Sequence, residues 1–327
     1  MGFIGMRVLV RADASVQIGM GHRVRCQALV SAFEKQGWQC QFVVQRQCEA
    51  FANEADRIID HESAFFAMVE QADLAILDHY AYQAQDITEL YQHQPNLLVL
   101  DDMNDRGVFP AKWLLNPLQE VYSAQIQWPL IGSQYALLRD EFCHAVKNPF
   151  ADKLLITMGG TDLLGLTLPI VARLMAAGFG AHNLVVLMGA NAKQAKQVAQ
   201  LCEYHGIAFH QGLSAVSTVM KDAKLAISAA GSTLYELACL GVPAIFAQIA
   251  DNQTRSLEQH LPLNWCRSIR FDHLSTAQLS TPLSQLVAMA LDAWESPDWL
   301  KQASKTAQHL VDGQGAERVV AEVMRHY

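Results

Sequence analysis

The sequence predicts an α/β protein of two consecutive doubly wound units, each a parallel sheet covered by helices, and three observations carry that expectation. Short runs rich in Val, Ile and Leu alternate with helix-length amphipathic stretches, the pattern of parallel strands buried on both faces. The alternation halts at the turn-prone "KNPFAD" (147–152) and then restarts. A chain of 327 residues is long for one core and comfortable for two, since domains cluster at about 100–200 residues. The expected domains are therefore 1–148 and 149–327, with a helical stretch at 305–327 packing back across the junction.

Taken in order, "RVLV", "CQFVV", "LAILD", "LLVLDD", "KWLLN" and "YALLR" have strand length, and residues 22–36 set Val24, Ala28, Leu29 and Phe33 at helical spacing. The second half repeats the theme with "KLLITMGG", "NLVVLMG", "IAFHQG", "KLAISAAGS" and "VPAIFAQ". Glycines mark the carboxyl ends of these strands: Gly19 and Gly21, Gly159 and Gly160, Gly189, and Gly231. In open α/β sheets ligands bind at that edge, where the strand order reverses. Several strand ends aimed at one cleft between two domains describe a ligand site.

Composition excludes other classes. Hydrophobic residues make up 51% and charged residues 17%, which rules out a disordered or fibrous chain. The net charge of −8 argues against a nucleic-acid partner, which needs a basic face. No apolar run reaches the ~20 residues of a membrane span. The seven cysteines are scattered, with no C-x-x-C pair, and read as reduced core residues of a cytoplasmic protein. The opening "MGFIGMRVLV" has neither a basic segment nor a small-residue cleavage site, so no signal peptide or anchor is expected, and Met6 is a candidate natural start.

Each motif has a functional and a bland reading. In "MGGTD" (158–162) two glycines let the backbone approach a ligand closely and Thr161 adds a hydroxyl beside helix N-terminal amides that favour anions; a tight turn with Thr161 as N-cap fits as well. In "SAAGSTLYELACLGVP" (228–243) Gly231, Ser232 and Thr233 resemble a second phosphate-binding helix start, with Glu236 one turn on; a capping box is the commoner reading of that spacing. "IGMGH" lacks the full dinucleotide fingerprint, because Val24 stands three residues after Gly21, so no nicotinamide cofactor is expected. His22 opens a helix, whose dipole disfavours a cation there and suits a neutral general base. "LDHY" (77–80) and "LDDMND" (100–105) end two strands with acids that orient His22, hold sugar hydroxyls or cap helices, the last being the expectation for Asp101 and Asp102. "QIADNQ" (248–253) offers the amides of Asn252 and Gln253 to a polyol.

Together and in this order, "RADASVQIGMGHRVR", "LDHY", "YALLRDEF", "MGGTD", "ISAAGSTLYELACLG" and "DNQ" resemble the UDP-2,4-diacetamido-2,4,6-trideoxy-β-L-altropyranose hydrolases of pseudaminic acid biosynthesis. The second half is similar, more distantly, to the nucleotide domain of the lipid-II-forming N-acetylglucosaminyltransferase. The resemblance implies a GT-B-like architecture: two Rossmann-like domains facing each other across a cleft, with UDP held mainly by the C-terminal domain. It implies hydrolysis of the UDP-sugar to UDP and free sugar, with His22 as the base that activates water for inverting attack at C1. By matching motif it implies Glu236 at the ribose, Gly160, Thr161, Ser232 and Thr233 at the diphosphate, and the Leu213 backbone at uracil beside Met188 and Gly189. Arg11, Asp13, Tyr80 and Asn252 are expected at the sugar, with Ser15, Gly19, Gly21 and Gln253 completing the substrate contacts. No cofactor and no metal is expected, since UDP is a good leaving group, helix N-termini can carry the diphosphate charge, and no D-x-D clamp is present. The expected partner is the small-molecule substrate, with transient contact to neighbouring pathway enzymes and with neither nucleic acid nor membrane. Two rival readings stand beside this one: a GT-B glycosyltransferase that passes the sugar to an acceptor alcohol, and a UDP-sugar sensor without turnover.

Overall fold

The computed structural model describes residues 5–15 and 18–327, so the expectations for residues 1–4 lie outside the described residues. Strand β1 (Arg7–Arg11) runs through a loop into α1 (Gly21–Lys35), followed by β2 (Gln39–Gln45), β3 (Arg57–Ile59), α2 (Glu62–Val69), β4 (Leu74–Leu77), α3 (Ala84–His93), β5 (Leu97–Leu100), β6 (Ala111–Asn116) and β7 (Ile126–Ile131). The second half begins with β8 (Lys153–Thr157), α4 (Thr167–Ala176), β9 (Leu184–Met188), α5 (Ala195–His205), β10 (Ala208–Gln211), α6 (Ser217–Met220) and β11 (Ala223–Ala229). It ends with α7 (Thr233–Cys239), β12 (Ala244–Gln248), α8 (Thr254–His260), β13 (Cys266–Arg270), α9 (Ser280–Trp294), α10 (Pro297–Gln308) and α11 (Gly315–His326).

Contacts divide the chain into two compact units, Met1–Asp140 with Gly313–Tyr327, and Glu141–Asp312. The division falls at 140/141 and not at 148/149 because Asn148 is tied to the second unit. Its N–H donates to the Lys221 carbonyl at 2.9 Å, and its side-chain amide to Asp222 at 2.8 Å.

Each unit is a doubly wound parallel sheet, ordered β3-β2-β1-β4-β5-β6-β7 and β10-β9-β8-β11-β12-β13. The order reverses at β1, which pairs with β2 and β4, and at β8, which pairs with β9 and β11. Helices cover both faces of the first sheet, so β4 and β5 are unbroken apolar runs buried along their whole length. On one face Leu29 and Phe33 of α1 pack with Val319, Val320 and Val323 of α11, which places the C-terminal helix in the first unit's core.

Two elements differ from expectation. "YALLR" is not a strand: Tyr135 ends a 3₁₀ turn, and the chain then passes so close to α11 that a Cβ on Gly315 would lie 2.1 Å from the Ala136 carbonyl oxygen. The outer strand is instead β7, which carries Pro129 and sits at the sheet edge, where a missing N–H costs no ladder bond. The 305–327 stretch is also not one helix, since His309–Gln314 separates α10 from α11 and Gly313 takes φ +79°.

Candidate active site

The switch point of the first sheet lies between β1 and β4, and α1 starts above it. His22, the second residue of α1, is buried there, and its Nδ1 lies 2.6 Å from Oδ1 of Asp78, the residue that follows β4. Asp78 is fully buried. Burial alone would push its carboxyl up, but the Arg25 guanidinium, and then His22, hold it well below the usual carboxylate range. An ionised carboxylate can only accept, so Nδ1 must be the donor. Arg25 Nη2, 3.2 Å from Nδ1, is then a neighbour and not its hydrogen-bond donor. In the neutral imidazole the lone pair is therefore on Nε2.

Arg25 grips the same carboxylate with two donors, Nε to Oδ2 at 2.6 Å and Nη2 to Oδ1 at 2.5 Å. Its Nη1 reaches Asp102 Oδ2 at 2.7 Å, and the Tyr80 hydroxyl donates to that oxygen at 3.0 Å. The Tyr80 ring stands edge-on to His22 with centroids 4.4 Å apart. Asp101 and Asp102 were expected to cap a helix, but residues 101–110 form none. Asp102 belongs to the His22 cluster, and Asp101 is buried 3.5 Å from Arg106.

The second histidine at this edge is fully engaged. His79 Nε2 donates to Asp13 Oδ2 at 3.1 Å, and its Nδ1 accepts the Ala81 N–H at 3.2 Å, so neither nitrogen is left to act as a base. Arg11 and Asp13, expected at the sugar, turn inward. Both are buried; Arg11 holds Asp13 at 2.8 Å and Glu62 at 2.6 Å, and Asp13 also accepts the Gln45 N–H at 3.0 Å. The Tyr82 hydroxyl donates to Glu62. This network supports the loop from beneath. Above it Ser15 Oγ accepts the Ile18 N–H at 3.0 Å and Gly19 takes φ +81°, a turn only glycine makes without strain; Gly21 begins α1. Val16 and Gln17 lie outside the described residues.

In the second unit the switch point lies between β8 and β11, paired through Thr157 and Ser228, so the "MGGTD" and "AGST" loops leave neighbouring strands at one edge. Gly160 and Thr161 stand in the first, Ser232 and Thr233 in the second. Gly189, after β9, touches Gly160: a Cβ there would lie 2.1 Å from the Gly160 carbonyl oxygen. Beyond it the Gly212 N–H bonds the Met188 carbonyl at 2.9 Å and brings Leu213 to the same edge. Thr161 is not the cap of α4. The N-cap is Leu166, and the Asp162 carboxylate from the preceding loop accepts the Leu166 and Thr167 N–H groups at 2.9 and 3.1 Å. Nor does the capping box form, since the Ser232 side chain makes no cap bond; Glu236 is buried on α7. Asn252 is exposed in the turn after β12, and Gln253 spends its carbonyl oxygen on the Ile249 N–H at 2.9 Å. Asp251, Asp272 and His273 bring ligand atoms within 4.8 Å of one another, although Arg270 already pairs with Asp272 at 2.7 Å.

Arg25 and Asp78 are the two members of the His22 cluster that do not stand out in the sequence. A signal for the first was present in "HRVR": residues three apart share a helix face. For Asp78 and Asp102 it was the strand ends themselves, which the parallel order sets side by side.

No protein-family model matches the chain. It is 27% identical over 256 residues to a Helicobacter pylori protein named pseudaminic acid cytidylyltransferase and UDP-2,4-diacetamido-2,4,6-trideoxy-beta-L-altropyranose hydrolase. That match covers 76% of this chain and 45% of the relative, so the chain spans less than half of that protein's length. A Campylobacter jejuni protein named UDP-2,4-diacetamido-2,4,6-trideoxy-beta-L-altropyranose hydrolase is 26% identical over 183 residues, 52% of this chain and 66% of that one. Among solved structures, Acinetobacter baumannii MurG superposes with a TM-score of 0.67 at 13% identity, over 98% of this chain and 99% of its own. The chain thus has two Rossmann-like parallel-sheet domains of the GT-B class, and in sequence it is similar to curated proteins named as that hydrolase.

Proposed function

We propose that the protein hydrolyses UDP-2,4-diacetamido-2,4,6-trideoxy-β-L-altropyranose to UDP and the free sugar, with His22 as general base. The similarity to relatives named for that reaction supports the substrate class. The observation that carries the chemistry is the 2.6 Å bond from His22 Nδ1 to a buried, ionised Asp78, which leaves Nε2 as the basic nitrogen.

In the step, water loses its proton to His22 Nε2 as its oxygen bonds to C1, while the C1–O bond to UDP breaks and the electron pair leaves with the diphosphate. One displacement inverts C1 and needs no enzyme nucleophile. Asp78 stabilises the imidazolium that forms. Tyr80 and Asn252 contact the sugar, and the loops of Gly160, Thr161, Ser232 and Thr233 offer backbone and hydroxyl donors to the diphosphate. Glu236 binds the ribose, and the chain around Leu213, Met188 and Gly189 receives uracil. The reaction runs without a metal, so a chelator leaves the rate unchanged. The cytoplasm is its place, in keeping with seven free cysteines.

Incubating the purified protein with UDP-sugars of the diacetamido-trideoxyhexose series, with no acceptor alcohol, should release UDP, and His22→Asn should slow that release by ~10²-fold or more. A glycosyltransferase would release UDP only with an acceptor, and a sensor would bind without turnover. In ¹⁸O-labelled water, label should enter the sugar and not UDP, provided the sugar is trapped before its anomeric oxygen exchanges.

A further inference from the structure

Arg25 follows His22 by three residues on α1 and faces two carboxylates that arrive from separate strand ends, Asp78 after β4 and Asp102 after β5. We propose that Arg25 is a positioning residue for the reaction: it fixes Asp78 in the plane and charge state that keep the proton of His22 on Nδ1, and through Asp102 it holds Tyr80 against the imidazole. The proposal rests on His22 being the base.

Three features carry it. The first is geometric: Nε and Nη2 meet the two oxygens of Asp78 at 2.6 and 2.5 Å, the bidentate fork that sets a carboxylate's plane. His22 Nδ1 shares Oδ1 with that fork, so the imidazole is aligned by a carboxylate that cannot rotate. The second is closure. From His22 to Asp78, Arg25, Asp102 and Tyr80, each member touches the next, and the Tyr80 ring returns to His22. A displaced member therefore moves the base.

The third is charge. Two carboxylates and one guanidinium sum to −1 beside a neutral His22, and to zero once the imidazolium forms. Facing Asp78 are His22, Arg25 and the protonated thiol of Cys26 from α1, Asp102 from the end of β5, and Tyr80 beside them. Without Arg25 the fully buried Asp78 and the partly exposed Asp102 would lie together with no cation between them, and Asp78, the more deeply buried, would take up a proton. A protonated Asp78 can donate to His22 Nδ1, which moves the ring proton to Nε2 and removes the base. Lysine cannot substitute, since its single ammonium does not span two oxygens of one carboxylate and a second carboxylate in fixed planes.

The test uses the full chain with Arg25→Gln and Arg25→Lys, read by kcat and KM for UDP release and by ¹⁵N NMR of histidine-labelled protein, with His22 assigned through its loss in His22→Asn. Both variants should lower kcat by ~10²-fold with KM within about threefold, and the His22 signals should shift from the Nδ1–H tautomer toward the Nε2–H tautomer. An unchanged tautomer with kcat within about threefold of wild type would overturn the proposal. If neither arginine variant folds, Asp102→Ala takes over: it removes the oxygen that both Arg25 Nη1 and the Tyr80 hydroxyl use, and a kcat and His22 tautomer unchanged from wild type would equally overturn it. Absence of UDP-sugar turnover in the wild type would sink the hydrolase reading, whereas the tautomer measurement needs no substrate and still decides the role of Arg25.

Discussion

Replacing Asp78 by Asn tests the base at its second member while leaving every atom of His22 in place. The amide has nearly the shape of the carboxylate, but its nitrogen can donate to Nδ1, which favours the wrong tautomer. It also removes the charge that faces the imidazolium. Unit charges about 4 Å apart interact by about 4 kcal/mol at the effective dielectric of a partly buried site, which corresponds to about a thousandfold in rate. That falls within the ~10²–10⁴-fold span of general-base catalysis, so kcat should drop by roughly 10³ with KM little changed. Folding should survive. Breaking a buried ion pair costs about 3–5 kcal/mol when the partner is stranded, but Arg25 keeps Asp102 at 2.7 Å and its side chain is 18% exposed, so the loss should be smaller. The assay is initial-rate UDP release across substrate concentrations, with a thermal melt on the same sample. A folded Asp78→Asn protein whose kcat stays within about threefold of wild type would refute the argument, because His22 would then need no ionised partner.

Gly189→Ala places a Cβ 2.1 Å from the Gly160 carbonyl oxygen, a backbone clash that must push two loops apart. UDP affinity, measured by calorimetry, should fall at least ~10-fold while the melting temperature drops; unchanged affinity would remove these loops from the nucleotide site. Glu236→Ala should raise KM more than it lowers kcat, because a ribose contact is made in ground and transition states alike. If Glu236 is only structural, stability alone will change. A pH prediction follows from Lys147, whose amine burial lowers to about 8 while its Nζ donates to the Gly241 carbonyl at 2.9 Å. Between about 8 and the unfolded value of about 10.4 the unfolded chain binds the extra proton, so stability should rise with pH across that window. Lys147→Met should flatten the rise in urea melts near pH 8 and pH 10; an equal slope in both proteins would count against it.

The fold was legible because its strands are covered on both faces, and such strands show as apolar runs without any knowledge of their partners. Where one face or one edge is open, the signal weakens: β7 has three consecutive exposed residues, Gln127, Trp128 and Pro129, and "YALLR" is apolar because it lies under α11, not because it pairs in a sheet. His22 stood out because a strand, a glycine loop and a helix start are consecutive in the chain. Its supports did not, because Asp78 and Asp102 lie 56 and 77 residues from the α1 side chains they bind, and only the reversal of strand order at β1 puts the ends of β4 and β5 beneath that helix. The same distance explains the inward turn of Arg11 and Asp13. A charged pair beside a ligand loop reads as contact surface in sequence, yet Glu62, His79 and Gln45 converge on it and leave it buried. Sequence spacing thus reports residues that act along one element. The groups that set the charge and angle of the proposed base act across elements, and a histidine in that role would depend on those as much as on its own position.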